Sequence, residues 1–251
     1  MVRKVGLRKK MKKMMRIHID LSGAPQTLRY TDSMNAAIVA GLTKAGLTSE
    51  EVTGAKALPW TFALHRAPGR TRVRNSGEFR ISGLTISSPA DRIAEALLRI
   101  EPADIAVASS NGDRVCCAGG LIQRERPAIR AEGLTVTFAS PVLLMRKKDG
   151  SEKTVWADAP DQVDIGTALH RGLSNRAGRD LDLRISPAEG GYAERLLVPL
   201  RHDARRRTDV VMPAFRLPLR IEGDIEDVRF AYLAGFGAKT RAGFGCPDLL
   251  S

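Results

Sequence analysis

The sequence predicts an α+β fold: two ferredoxin-like domains in tandem, the second decorated, with a C-terminal glycine-rich loop. Three observations carry this. Short stretches of period-two alternation are interleaved with stretches of helical spacing, the strand and helix order of the first half partly repeats in the second, and glycines cluster near the C-terminal end. A chain of 251 residues that is 43% hydrophobic can bury one large core or two small ones, which excludes disorder for most of its length.

Residues 1–14 read as a basic flexible tail, because Met1 to Lys13 hold seven Lys and Arg and no acid. Arg16 to Leu21 then alternates polar and apolar side chains, as a strand with one buried face does. Met34, Ala37, Ile38 and Leu42 recur at helical spacing, with Asp32 or Ser33 to cap the helix and Gly46 to end it. Leu58 to His65 and Phe79 to Ile86 are strands. Ser88-Pro89-Ala90-Asp91 opens a second helix with a capping side chain, and Ile93, Ala96, Leu97 and Ile100 are its buried face. Short strands are expected at Ile105 to Ala108 and Val115 to Ala118.

A join near Pro127 to Glu132 divides the chain into domains at 15–130 and 131–251. Beyond it, Leu134 to Phe138 is a strand, Asp164 to Leu173 a helix, and Leu181 to Ile185 and Phe215 to Ile221 are strands again.

Forty Lys and Arg against 28 Asp and Glu give a formal charge of +12, so the surface attracts a polyanion, and nucleic acid leads the list of partners. Most of the excess is arginine, whose planar fork pairs with phosphate and stacks on bases. Cys116, Cys117 and Cys246 have neither a disulfide framework nor zinc-site spacing, so no metal or cofactor is expected, and a reducing cytoplasm fits. Apolar runs fall short of the ~20 residues of a membrane span, and Arg16, His18 and Asp20 interrupt the segment that follows the basic tail, so neither a membrane partner nor a secretory signal is expected.

The most specific signal is Gly235-Phe236-Gly237-Ala238-Lys239-Thr240-Arg241-Ala242-Gly243-Phe244-Gly245, two Gly-Phe-Gly triplets around a basic centre. Glycines permit positive backbone angles and close approach of amides to phosphate, while Lys239 and Arg241 supply charge. Phe236 and Phe244 are expected to anchor the loop in the core, the alternative being stacking on a base. A dinucleotide fingerprint is a poor match, since six residues remain after Gly245 where a long helix would be needed.

This loop resembles that of the CRISPR repeat-processing endoribonucleases, within the repeat-associated RNA-binding superfamily. Phe138-Ala139-Ser140-Pro141-Val142, Pro59-Trp60-Thr61-Phe62-Ala63-Leu64 and Ile221-Glu222-Gly223-Asp224 are similar to further segments of that family. The resemblance implies a protein that binds the repeat hairpin of precursor CRISPR RNA and cuts at the stem base without metal. It then holds the mature guide RNA and joins other CRISPR effector subunits. Its alternative is a noncatalytic guide-RNA-binding subunit of an effector complex.

Cleavage by a neighbouring 2′-hydroxyl needs a base, a cation for the charged phosphorane and an acid. The family places a histidine in or just after its first helix, yet Asp32 to Lys56 contains none. His65, after the matched strand, is the leading histidine candidate. His18 reads as structural, and His170 and His202 as surface or RNA-contacting residues. Arg29, Tyr30, Lys44 and Arg241 complete the catalytic candidates, an arginine-rich set similar to the type IV variety of the family. Arg66, Arg70, Arg72 and Arg74 form one basic segment and Arg205, Arg206 and Arg207 another. Both are expected on RNA, together with Gly235, Phe236, Gly237, Lys239, Thr240, Arg241, Gly243, Phe244 and Gly245.

Overall fold

The computed structural model describes residues 14–67, 78–108, 112–127, 129, 133–148, 151 and 153–249. The fold is mixed, with helices packed on antiparallel sheets.

The first half runs β1 (Met15–Asp20), β2 (Gln26–Leu28), α1 (Thr31–Lys44), α2 (Ser49–Thr53), β3 (Thr61–Arg66), β4 (Phe79–Ser88), α3 (Asp91–Arg99), β5 (Ala106–Ala108), β6 (Arg114–Cys116) and β7 (Leu121–Glu125). β4 is the central strand. It pairs with β1 along one edge and with β2 and β3 along the other, and β7 extends the sheet beyond β1. Ile17, Ile19, Leu84 and Ile86 from the sheet pack with Met34, Ile38, Leu42, Ile93 and Leu97 from α1 and α3.

The second half runs β8 (Gly133–Phe138), β9 (Met145–Lys147), β10 (Thr154–Trp156), α4 (Ile165–Ala177), β11 (Leu183–Pro187), β12 (Glu194–Asp203), β13 (Thr208–Arg216), β14 (Leu219–Gly223), α5 (Ile225–Ala234) and β15 (Pro247–Leu249). Its sheet has the order β11-β14-β8-β15, and β9–β10 and β12–β13 form separate hairpins. Val136, Phe138, Leu169, Leu173, Ile221, Val228 and Phe236 belong to its core.

Several local expectations change. α1 begins at Thr31 with Tyr30 at its N-cap, so Asp32 and Ser33 lie inside the first turn, and the Ser33 hydroxyl donates to Asp113 at 2.6 Å. α3 has no capping side chain either. Ser88 Oγ accepts from the Ala90 N–H and donates to Pro59 O at 2.7 Å, which spends it outside the helix. α4 is capped by Asp164 but continues to Ala177, stopping where Gly178 turns left-handed at φ 68°. The single strand expected over Phe215 to Ile221 is the end of β13 and the start of β14, separated at Leu217-Pro218, because proline has no N–H to continue a ladder.

A larger correction concerns β1. Alternation alone turns its polar residues toward water, yet Arg16 is 1% exposed. The second half covers that face. Arg16 donates to Pro247 O at 2.9 Å, its guanidinium carbon lies 4.9 Å from the Tyr232 ring centroid, and Asp248 and Glu125 stand within 4 Å. Buried hydroxyls join the halves around it. Ser87 donates to Leu233 O, Thr61 to Phe244 O and Ser140 to Phe62 O, at 3.1 to 3.2 Å.

Candidate functional site

The glycine-rich segment connects α5 to β15 and lies against β3 of the first half. Gly243 (φ 85°) rests on the Phe62 ring, where an added Cβ would stand 2.9 Å from two ring carbons. Phe236 and Phe244 are fully buried. The N–H groups of Gly235, Phe236, Ala238, Ala242, Gly243 and Gly245 donate to Ala231, Gly245, Leu143, Lys239, Thr240 and Pro141 carbonyls. Those six amides therefore shape the loop from within rather than face outward.

A side chain that carries no signal in the sequence braces the same loop. Arg176 of α4 donates to Gly235 O at 2.6 Å and to Gly237 O at 2.8 Å. Burial, with Arg241 second, pulls its pKa down to about 10. Two carbonyls aimed at one guanidinium hold the first Gly-Phe-Gly triplet in place.

The loop's outward members are its basic ones. Lys239 is exposed, at φ 53°, with Nζ 5.8 Å from the Trp156 ring centroid, whereas Thr240 is buried. Arg241 is half-buried and reaches Val52 O and Gly54 O at 3.3 and 3.4 Å. Its own carbonyl accepts from Asn35 of α1, and burial lowers its pKa. α1 and the loop are thereby fixed to one another.

At the N-terminal end of α1, Arg29 and Tyr30 meet the β12–β13 hairpin. Their N–H groups donate to Asp113. The Tyr30 hydroxyl donates to Asp209 Oδ1 at 2.6 Å, His202 Nδ1 lies 3.0 Å from the same oxygen, and Arg29 Nη2 is 3.7 Å from Oδ2. The Tyr30 and His202 contacts hold the Asp209 carboxyl below its usual range. Burial, then the Asp209 contact, pushes the Tyr30 phenol up. Asp32 is pushed up by burial, against the opposing pull of Arg201 and Lys239.

The other sequence-predicted residues lie apart. His65 Nε2 meets Thr85 Oγ1 at 2.7 Å, and His18 Nδ1 meets the same hydroxyl at 2.9 Å; burial and then His18 lower the His65 pKa. Lys44 pairs with Asp104 at 2.5 Å at the far end of α1, about 20 Å from Tyr30 by helical rise. Arg66 ends β3, with its guanidinium carbon 5.8 Å from the Phe79 ring centroid. Arg70, Arg72 and Arg74 lie outside the described residues. Arg205, Arg206 and Arg207 form the exposed tip of the β12–β13 hairpin, where the Arg205 and Arg206 N–H groups donate to Asp203 and Arg207 sits at φ 53°.

His202 and Asp209 are not among the catalytic candidates that the sequence offers, although apolar segments on either side of the arginine run signal a hairpin that would set them opposite each other. Among the described residues, no group of three His, Cys, Asp or Glu could hold a metal ion, and no helix is long and apolar enough to cross a membrane.

Residues 123–249 match the family model of CRISPR associated protein Cas6, C-terminal. The chain belongs to the Cas6 family of CRISPR repeat-processing endoribonucleases. Its Cas6 fold is similar to the product of a Cas6-related gene from Pyrococcus furiosus, with TM-score 0.66 and 19% identity over 95% of this chain and 99% of that one. It is also similar to a RAMP protein that binds different RNA substrates, with TM-score 0.65 and 19% identity over 94% and 100% of the two chains. A structure of CRISPR associated protein Cas6 gives TM-score 0.59 and 17% identity over 95% and 100%. At these identities the likeness to solved structures is one of fold. No curated protein matches the Cas6 chain.

Proposed function

We propose that this chain binds the repeat hairpin of precursor CRISPR RNA, cuts it at the base of the stem by attack of the adjacent 2′-hydroxyl, and keeps hold of the mature guide RNA. The observation that carries this reading is the meeting of Arg29 and Tyr30, at the N-terminal end of α1, with the arginine-tipped β12–β13 hairpin of the second half, while Asn35 fixes the basic glycine loop to the same helix. The nucleophile is part of the substrate, so the protein's task is to align it and to stabilise charge. Arginines and a lysine suit the negative charge that grows on the phosphorane. The exposed arginine tip, Arg205 to Arg207, grips stem phosphates, and Arg66 with its neighbouring arginines adds a second grip. Lys239 and Arg241 carry the glycine loop's contribution to RNA, while its glycines set their positions.

The sheet orders support two ferredoxin-like units, 15–130 and 131–251, the second decorated by the β9–β10 and β12–β13 hairpins; of the basic tail expected over residues 1–14, all but Met14 lies outside the described residues. We place the activity in the cytoplasm, with the bound guide RNA passing into a complex with other CRISPR effector subunits.

The deciding experiment incubates the purified chain with a hairpin repeat RNA in chelator, and then with the same RNA carrying deoxyribose at the scissile position. Cutting in chelator that disappears with that one hydroxyl is the expected result. Binding without cutting would make the chain a noncatalytic guide-RNA subunit, and neither binding nor cutting across a range of hairpins would reject both.

A further inference from the structure

The ladder of β12 with β13 sets His202 directly across from Asp209, three residues before the arginine tip on one strand and two after it on the other. His202 is 41% exposed and Asp209 39% exposed, so the pair lies at the surface and accessible to a large substrate. Asp209 is tied to both halves of the molecule, since Oδ1 takes the Tyr30 hydroxyl and the His202 ring while Oδ2 faces Arg29.

An ionised carboxylate only accepts hydrogen bonds, so the ring nitrogen on Asp209 carries hydrogen and the ring is held in one orientation. When protonated, the imidazole also gains an ion pair with Asp209. A carboxylate that orients a histidine through one nitrogen and lets the other do chemistry is a recurring arrangement for proton transfer.

We infer that His202 is the general acid of the cleavage step and Asp209 its positioning residue, an inference that rests on the endoribonuclease reading above. The 2′-oxygen bonds to phosphorus and loses its proton to a solvent base. The bond from phosphorus to the 5′-oxygen breaks, and the proton on His202 Nε2 passes to that departing oxygen. The products are a 2′,3′-cyclic phosphate and a 5′-hydroxyl, and the imidazole regains its proton from water. Arg29, held against the same carboxylate, can offset the charge of the phosphorane.

The test compares the full chain with His202→Ala and His202→Asn on two hairpin RNAs, one ordinary and one with sulfur replacing the scissile 5′-oxygen. A thiolate leaves without a proton, so it does not need the acid. Asparagine retains an N–H for Asp209 and so preserves the latch while removing the acid. Both variants are expected to cut the ordinary hairpin ~10²–10⁴-fold more slowly at saturating protein. On the sulfur hairpin they are expected to approach the native rate. Native-rate cutting of ordinary RNA by either variant, or an equal defect on both RNAs, would overturn the role of His202 and leave the endoribonuclease reading standing. A native chain that binds but never cuts would sink both.

Discussion

Gly245 and Phe236 clasp each other across the two ends of the glycine-rich loop: the Phe236 N–H donates to Gly245 O at 2.8 Å, and a Cβ on Gly245 would stand 1.8 Å from Phe236 O. Gly245 also sits at φ 66°. Gly245→Ala therefore meets a backbone clash and a left-handed residue together. A loss of about 2 kcal/mol or more is expected in urea unfolding, with RNA binding falling alongside. A variant as stable as the native chain would show that the loop relaxes freely.

Arg176 holds two loop carbonyls from inside the protein. Arg176→Met removes both donors and is expected to cost roughly 2–4 kcal/mol, since buried acceptors are deprived of charged partners. Arg176→Lys should not restore that stability, because a single ammonium does not reproduce a planar fork reaching Gly235 O and Gly237 O together. Full recovery with lysine would argue for a simple charge effect.

RNA affinity should depend on the hairpin tip through salt. Replacing Arg205, Arg206 and Arg207 together with alanine is expected to weaken binding and to flatten the plot of log affinity against log salt by about 0.7–0.9 for each phosphate that is no longer neutralised. An unchanged slope would remove the tip from the interface.

A pH-dependent contribution is expected at α2. The Arg92 side chain first, and then the Thr48 N–H, pull the Glu51 carboxyl down to about 2 from its ordinary 4.5. Because the folded value lies below the unfolded one, this stabilisation is complete above pH 4.5 and disappears as pH falls through about 2. The stability gap between the native chain and Glu51→Gln should accordingly narrow across that window, measured as urea midpoints at stepped pH. A gap that stays constant would show that the charge of Glu51 is not what matters.

Local regularities in the chain are sufficient for much of the fold. Alternation over Arg16 to Leu21 marks β1, helical spacing from Met34 to Leu42 marks α1, and the Gly-Phe-Gly triplets mark the segment joining α5 to β15. The first two signals survive in sequence because each reflects what one element buries against its own half, and the third because glycine is needed where φ is positive and the Phe62 ring lies close to Gly243. Arg29 and Tyr30 are also legible as candidates, since the segment before the first helix carries them in plain view.

Legible in the chain alone are therefore the kinds of element, their approximate order, the excess of cationic charge and the family resemblance of the terminal loop. Packing in three dimensions buries the hydroxyl-bearing face of the first sheet, with Arg16, under the second half, spends six loop amides within the protein, and sets Tyr30 and His202 on one carboxylate. Residues 30 and 209 are brought together by packing between two halves of the chain. Periodicity reports the burial of an element within its own neighbourhood, whereas contacts over such separations depend on how completed layers dock and leave no period in the sequence.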